Sequence, residues 1–288
     1  MIPARPLARF RRKRAALLAA AAVAALSILA LVGPALVPHS PNLSDFTHGR
    51  GPLGLPAGPS AAHWLGTDTL YRDLLSRLLH GGRVSLLVGL AATTLATAIG
   101  ASVGLLTGYV HQTRLHALDS LLMRVVDAGL SFPYLLFVMA LGALLDRTDV
   151  SSIILILGAT GWLGTSRLVR AKTIQIRDLD FVLAARALGQ RPLPIILRHV
   201  LPNIAGPLIV TASASVASMI LAESVLSYLS VGVQPPTATW GRMLREGQTY
   251  LTAAPRLVAV PGLAILFAVM AFNMLGEAIR DALDPHAA

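Results

Sequence analysis

Residues 84–110 read VSLLVGLAATTLATAIGASVGLLTGYV, 27 residues without a charged side chain. A helix rises about 1.5 Å per residue, so this run exceeds the roughly 20 residues that carry a helix across a ~30 Å hydrocarbon core. Alanine or glycine recurs at every fourth position, at Ala92, Ala96, Gly100, Gly104 and Gly108. At about 3.6 residues per turn these positions form one low ridge, along which a second helix can approach closely. The ridge suits either another helix of this chain or a helix of a second subunit, and Gly100, Gly104 and Gly108 are its candidate helix-packing residues.

Outward from this span, uncharged runs recur at 15–37, 128–145, 150–166, 204–222 and 257–276. The 288 residues are 55% hydrophobic and 13% charged, with a mean hydropathy of +0.67, too apolar for an ordinary soluble domain. A closed barrel would need alternating strands of ~10 residues, and no such alternation occurs. The fold class is therefore all-α, a polytopic membrane protein with six transmembrane helices. Its layout is a basic tail at 1–14, a first transmembrane helix at 15–37, a loop at 38–83, five helices over 84–279 and a tail at 280–288. The run at 15–37 follows ARFRRKR as a secretory signal would, but its 23 residues exceed a signal core of ~7–15, so it reads as a retained anchor.

Several chemistries are excluded early. The chain has no cysteine, so it has no disulfide framework, cysteine zinc site or thiol nucleophile. Its eight histidines show no metal-ligand spacing. No G-x-x-x-x-G-K-[ST] loop is present, since Lys13 follows Arg12 and Lys172 follows Ala171, so the chain cannot cradle ATP phosphates by that device. G-x-S-x-G and H-E-x-x-H are absent too, which leaves an integral membrane enzyme little support. The net charge of +10 is explained by membrane orientation and does not call for nucleic acid.

Orientation follows the excess of arginine and lysine on the cytoplasmic side. Arg5, Arg9, Arg11, Arg12, Lys13 and Arg14 hold the amino terminus inside. Six crossings then place 38–83, 146–149 and 223–256 outside, and 111–127, 167–203 and the carboxyl tail inside. The inside set carries 16 of the 24 basic residues.

The largest inside loop contains DFVLAARALGQRPLPIILRHVLPN at 180–203. Asp180 suits a helix start, FVLAARAL is helix-forming, and Gly189 suits a left-handed terminator. Pro192 suits the first turn of a second helix that Pro202 is expected to halt. The product is a helix-turn-helix knuckle whose small residues leave the turn low and whose Arg186, Arg191 and Arg198 supply charge. Two uses are open: it is gripped by another protein, or it rests on anionic lipid headgroups.

On the outside, Leu70, Leu74, Leu75, Leu78 and Leu79 share one helical face, which reads as an interfacial helix ended by Gly81 and Gly82, with Asp73 and Arg77 four apart and able to pair. TWGRMLREGQTYL at 239–251 reads as a short re-entrant or surface helix near the outer mouth. Arg124 and Asp127 are spaced for a local pair, and His199 reads as a surface imidazole. Glu223, at the outer end of the fifth span with no local basic partner, either snorkels into water or faces a transport pathway.

AARALG at 184–189 followed by IILRHVLPN at 195–203 resembles the EAA loop of ABC importer permeases, whose coupling helix docks on an ATPase subunit. By that resemblance Ala184, Ala185, Arg186, Gly189, Arg191, Leu201 and Pro202 are the ATPase-coupling residues of a loop at 180–202. Leu183 stands where the motif usually opens with an acid, so one family contact is altered here. HWLGTDTLYRDLLSRLLHGGRVSLLVGL (63–90), RVVDAGLSFP (124–133), VQPPTATWGRML (233–244) and LGEAIRDALDP (275–285) resemble, in the same order, the C-type permease of dipeptide, oligopeptide and nickel importers. Tyr71 replaces a usual glycine.

The resemblance implies that 84–279 is an ABC importer permease domain without an ATPase site of its own. It implies a heterodimer with a second permease, two ATPase subunits holding ATP and Mg, and an external binding protein that delivers peptides. The place would be the inner membrane of a bacterium, both termini cytoplasmic. Nickel is the alternative cargo, and a proton-coupled secondary transporter using Glu223 is the competing mechanism.

Overall fold

The computed structural model describes residues 10, 11, 13–145 and 148–283. Arg5, Arg9 and Arg12 of the orientation argument, and the tail beyond 283, lie outside the described residues. Helix α1 spans Arg14–Leu36 and α2 spans Leu74–Val110. A bent pair follows, α3 (His116–Ser131) and α4 (Tyr134–Ala143). Then come α5 (Val150–Arg177), the short α6 (Asp180–Ala187), α7 (Pro192–Tyr228), α8 (Trp240–Gly247) and α9 (Arg256–Leu283). Five of these are long and apolar enough to cross a membrane, six if the bent pair counts as one span. Among the described residues no strand forms; the loop between α1 and α2 holds three isolated antiparallel bridges, Ser44–Arg72, Arg50–Pro56 and Thr67–Asp73.

The third span departs from the straight helix expected over 128–145. α3 and α4 meet at Phe132 and Pro133 with a bend of 91°. Proline lacks the N–H that would continue the ladder and pushes the preceding residue into extended backbone, where Phe132 sits at φ −86°, ψ 139°.

A second correction concerns the amino-terminal end of α2. No interfacial helix ends at Gly81 and Gly82; α2 runs unbroken for 37 residues through both. The glycines are buried because α8 lies against them, and a Cβ on Gly82 would stand 2.8 Å from the Trp240 ring. Trp240 Nε1 also donates to the Leu78 carbonyl at 3.0 Å. Asp73 does not pair with Arg77: it caps α2, accepting from the Ser76 N–H at 2.7 Å. Arg77 is fully buried, with its Nε 3.1 Å from Asp68 and its guanidinium donating to Glu246 at 3.0 Å. Arg72 bridges the same two acids, at 2.7 Å from Asp68 and 2.8 Å from Glu246. These ions lock the loop at 38–73 and α8 to α2, so that Trp240, Gly241, Met243 and Gly247 are buried against the bundle while Arg245, Gln248, Thr249 and Leu251 of the segment at 239–251 stay exposed.

Tyr71 adopts φ +60°, the left-handed region where glycine sits without strain. Its side chain offsets the cost locally, donating to the Gly54 carbonyl at 2.8 Å and meeting Phe46 edge-on at 5.6 Å between ring centres.

The ridge of α2 packs within this chain. A Cβ built on Gly100 would lie 2.8 Å from Thr165 Cβ, on Gly104 2.6 Å from the Ser166 carbonyl, and on Gly108 2.6 Å from Thr173 Cβ. All three partners belong to α5. Contacts below 3 Å are inaccessible to any side chain, so the absence of a Cβ on α2 sets the distance between the two helices. Arg177, at the end of α5, reinforces the junction by donating to the carbonyls of Gly108, Tyr109 and His111 that α2 leaves free at its carboxyl end.

Candidate coupling site

The knuckle at 180–203 is built much as its residues suggest. α6 ends in Gly189 at φ +76°. The Gly189 N–H donates to the Arg186 carbonyl at 2.9 Å and the Gln190 N–H to the Ala185 carbonyl at 3.1 Å, the paired bonds of a Schellman turn. Nothing lies within 4 Å of where a Cβ on Gly189 would be, so the glycine is there for its backbone angle and the turn stands free. Arg191 occupies the cap and Pro192 the first position of α7.

Pro202 does not halt the second helix. α7 runs through it from Pro192 to Tyr228, and the five residues Ile196–Val200 widen into a π-turn. A π-turn shifts the backbone bonds by one residue, which accommodates the donor that proline lacks, and Asn203 Nδ2 serves the His199 carbonyl at 2.6 Å. The knuckle is therefore a rigid continuation of a membrane-spanning helix.

One face of the knuckle is tied to the bundle. Val182, Ala185, Ile195, Val200 and Ile204 are buried together with Leu105 of α2 and Val169 of α5. Ala185, expected on the docking surface, thus faces inward, because at i+3 from Val182 it falls on the same helical stripe. Leu201 is half-buried beside the same cluster. Arg186 is half-buried, its guanidinium 5.1 Å from the centre of the Tyr109 ring, a cation–π contact that orients it. His199 is half-buried near Phe181, 6.2 Å between ring centres. Ala184, Gly189, Arg191 and Pro202 are exposed.

The opposite face carries what the residue-by-residue reading missed. Leu183, Leu188, Leu193 and Leu197 are 44%, 83%, 64% and 50% exposed. They flank the free turn as an apolar patch at the tip of an otherwise basic loop. The signal lay in the sequence as leucines spaced by four or five residues on both sides of Gly189, out of phase with the buried stripe. Leu183, in the place of the family's acid, belongs to this patch.

Two other expected residues change meaning. Glu223 is 0% exposed and lines no surface: it accepts from Ser85 Oγ at 2.8 Å and from Ser227 Oγ at 2.7 Å. The expectation of water or a pathway beside it is replaced by a buried, hydrogen-bonded carboxyl where α2 and α7 meet. The Trp240 N–H donates to the same Ser85 hydroxyl at 3.3 Å, extending the chain of bonds to α8. Asp127 does not pair with Arg124 but with Arg167 of α5, because the bend at Pro133 turns α3 along that helix.

Comparison with known proteins bears on this geometry. Residues 96–288 match the family described as binding-protein-dependent transport system inner membrane component, and residues 6–54 match the N-terminal TM domain of oligopeptide transport permease C. The dipeptide transport system permease protein DppC of Bacillus subtilis is 38% identical over 261 residues, 90% of this chain and 78% of that one. The oligopeptide transport system permease protein OppC of Mycobacterium tuberculosis is 36% identical over 278 residues, 96% of this chain and 92% of that one. In solved structures, a chain of the inward-facing MetNI methionine ABC transporter superposes with a TM-score of 0.57 at 17% identity, covering 72% of this chain and 96% of that chain, which supports the fold alone. By these matches the chain belongs to the binding-protein-dependent transport system inner membrane component family, the membrane-spanning permeases of ABC importers.

Proposed function

We propose that this chain is one of two permease subunits of an ATP-driven importer of dipeptides or oligopeptides in a bacterial inner membrane. An external binding protein delivers the peptide, and two ATPase subunits supply the energy from ATP and Mg. Similarity over nearly the whole chain to permeases named for dipeptides and oligopeptides supports the cargo. The observation that carries the mechanism is the knuckle, an exposed leucine patch on a turn whose other face is packed into α2, α5 and α7. A lipid-resting loop needs no rigid backing, whereas a lever does. Closure of the ATPases on ATP would push this tip and tilt α5 and α7 as rigid bodies, opening the path outward.

The test is uptake into proteoliposomes holding both permeases, both ATPases and the binding protein. Accumulation of a peptide should follow ATP inside and ignore a proton gradient. Glu223→Gln should retain that behaviour, since the side chain is enclosed and serves as an acceptor for Ser85 and Ser227, a role the amide oxygen of glutamine can keep. Uptake driven by a proton gradient without ATP would overturn the reading.

A further inference from the structure

Histidines that are far apart in sequence meet under the outer loop. His39, just past α1, His63 of the loop, and Asp73, the cap of α2, each present a donor atom, and these atoms lie within 4.8 Å of one another. His63 is 1% exposed, with Nδ1 2.9 Å from Asp73 Oδ1 and Nε2 3.3 Å from Asp45 Oδ2.

Asp45 is fixed behind His63: its Oδ1 accepts the N–H groups of His48 and Thr47, both at 2.9 Å, which leaves Oδ2 facing Nε2 of the imidazole. His63 thus has a carboxylate at each ring nitrogen. Asp73 commits Oδ2 to the Ser76 N–H at 2.7 Å and offers Oδ1 back. His63 Nδ1 and Asp73 Oδ1 share a 2.9 Å hydrogen bond, and among the described residues His39 stands beside that pair without a partner of its own. Its ring centre lies 4.8 Å from that of His63, its imidazole makes no hydrogen bond among the described residues, and its backbone carbonyl is held by Ser76 Oγ at 2.7 Å. A cavity of about 290 Å³ lined by Pro38, His39, Trp64 and Asp73 opens beside the cluster and gives an ion access.

We propose that His39, His63 and Asp73 bind a divalent transition-metal ion of the zinc class, with Asp45 as the positioning residue that orients His63. Two imidazoles and a carboxylate are a donor set such ions accept, and metal bonds of about 2.0–2.2 Å place tetrahedral donors roughly 3.3 Å apart, between the 2.9 Å of the His63–Asp73 pair and the 4.8 Å that encloses all three donors. A carboxylate behind a ligating imidazole is the usual support of such a ligand. The ion would clamp the end of α1 and the outer loop to the cap of α2, a structural role separate from any cargo.

The probe is zinc, added to the assembled transporter purified through a tag without histidines and then desalted, with metal counted by mass spectrometry. The expected result is one zinc per copy of this chain in the parent. His39→Ala, which leaves the buried His63 and its two carboxylates intact, should abolish retention, and His116→Ala should not alter it. Asp45→Asn should weaken binding by roughly 10–100-fold. Cobalt in the same site should give the visible absorption of a tetrahedral ion, lost in His39→Ala. No zinc above background in the parent, or equal retention in the parent and His39→Ala, overturns the proposal and leaves the cluster a set of hydrogen bonds that fix the loop.

Discussion

If the knuckle is the handle of an ATPase, its energy lies in the leucine patch and its shape in Gly189. Leu188 is 83% exposed and touches little of its own chain, so Leu188→Asp removes apolar area from docking without loosening the fold. Burying a whole leucine contributes ~1.5–3 kcal/mol, and the four-fifths open here is worth about 1.2–2.5 kcal/mol. At about 1.4 kcal/mol per tenfold, the lost apolar contact alone should lower ATPase affinity by roughly 7- to 60-fold. Gly189→Val acts through the backbone: with no neighbour within 4 Å the new side chain clashes with nothing, yet a β-branched residue at φ +76° costs ~1–3 kcal/mol and opens the turn. Arg186, held on the Tyr109 ring, should matter less, and Arg186→Gln should change affinity only a few-fold. The assay is ATPase affinity for the permease pair in nanodiscs at two salt concentrations, together with stimulated ATP hydrolysis. All variants should reach the membrane and assemble. Unchanged affinity and stimulation in both Leu188→Asp and Gly189→Val would refute the coupling role and return the knuckle to the lipid surface.

Two further expectations rest on other parts of the fold. In this cysteine-free chain, Ser60→Cys should label from outside intact cells with an impermeant thiol reagent and Gln190→Cys should not, both sites being exposed; the reverse pattern would invert the orientation and remove the knuckle from the cytoplasm. Gly104→Val should force α5 away from α2, since even a Cβ meets the Ser166 carbonyl at 2.6 Å; overpacking of ~1–3 kcal/mol should lower the thermal midpoint of the purified chain, while Gly164→Val, with open space around it, should not, and equal stability of the two variants would show that the ridge packs elsewhere.

Much of the coupling loop was legible because its determinants are local. A glycine at a left-handed position and a proline at a helix start follow from the φ angles each residue allows, and Gly189 and Pro192 take those roles in the structure. The orientation of Ala185 and Arg186 was not legible in the same way. The turn decides which stripe of α6 meets Leu105 and Val169, and that contact brings together residues about eighty positions apart.

The sequence by itself determined the all-α membrane class, the apolar runs and the absence of an ATP-binding loop, because each is a matter of composition or of period along a single helix. Only the tertiary structure decided what each helix meets. Gly81 and Gly82 read as terminators until α8 supplies the Trp240 ring that needs their missing side chains. Glu223 looks like a water-seeking charge until Ser85, from a helix 138 residues away, donates to it. The ridge of α2 fits any close partner, and the fold assigns it to α5. The histidines show no ligand spacing, yet His39, His63 and Asp73 converge once the end of α1 and the loop after it fold over the cap of α2. Packing at near-crystalline density and the satisfaction of buried polar groups are properties of pairs of surfaces, and a chain read one helix at a time contains only one surface of each pair.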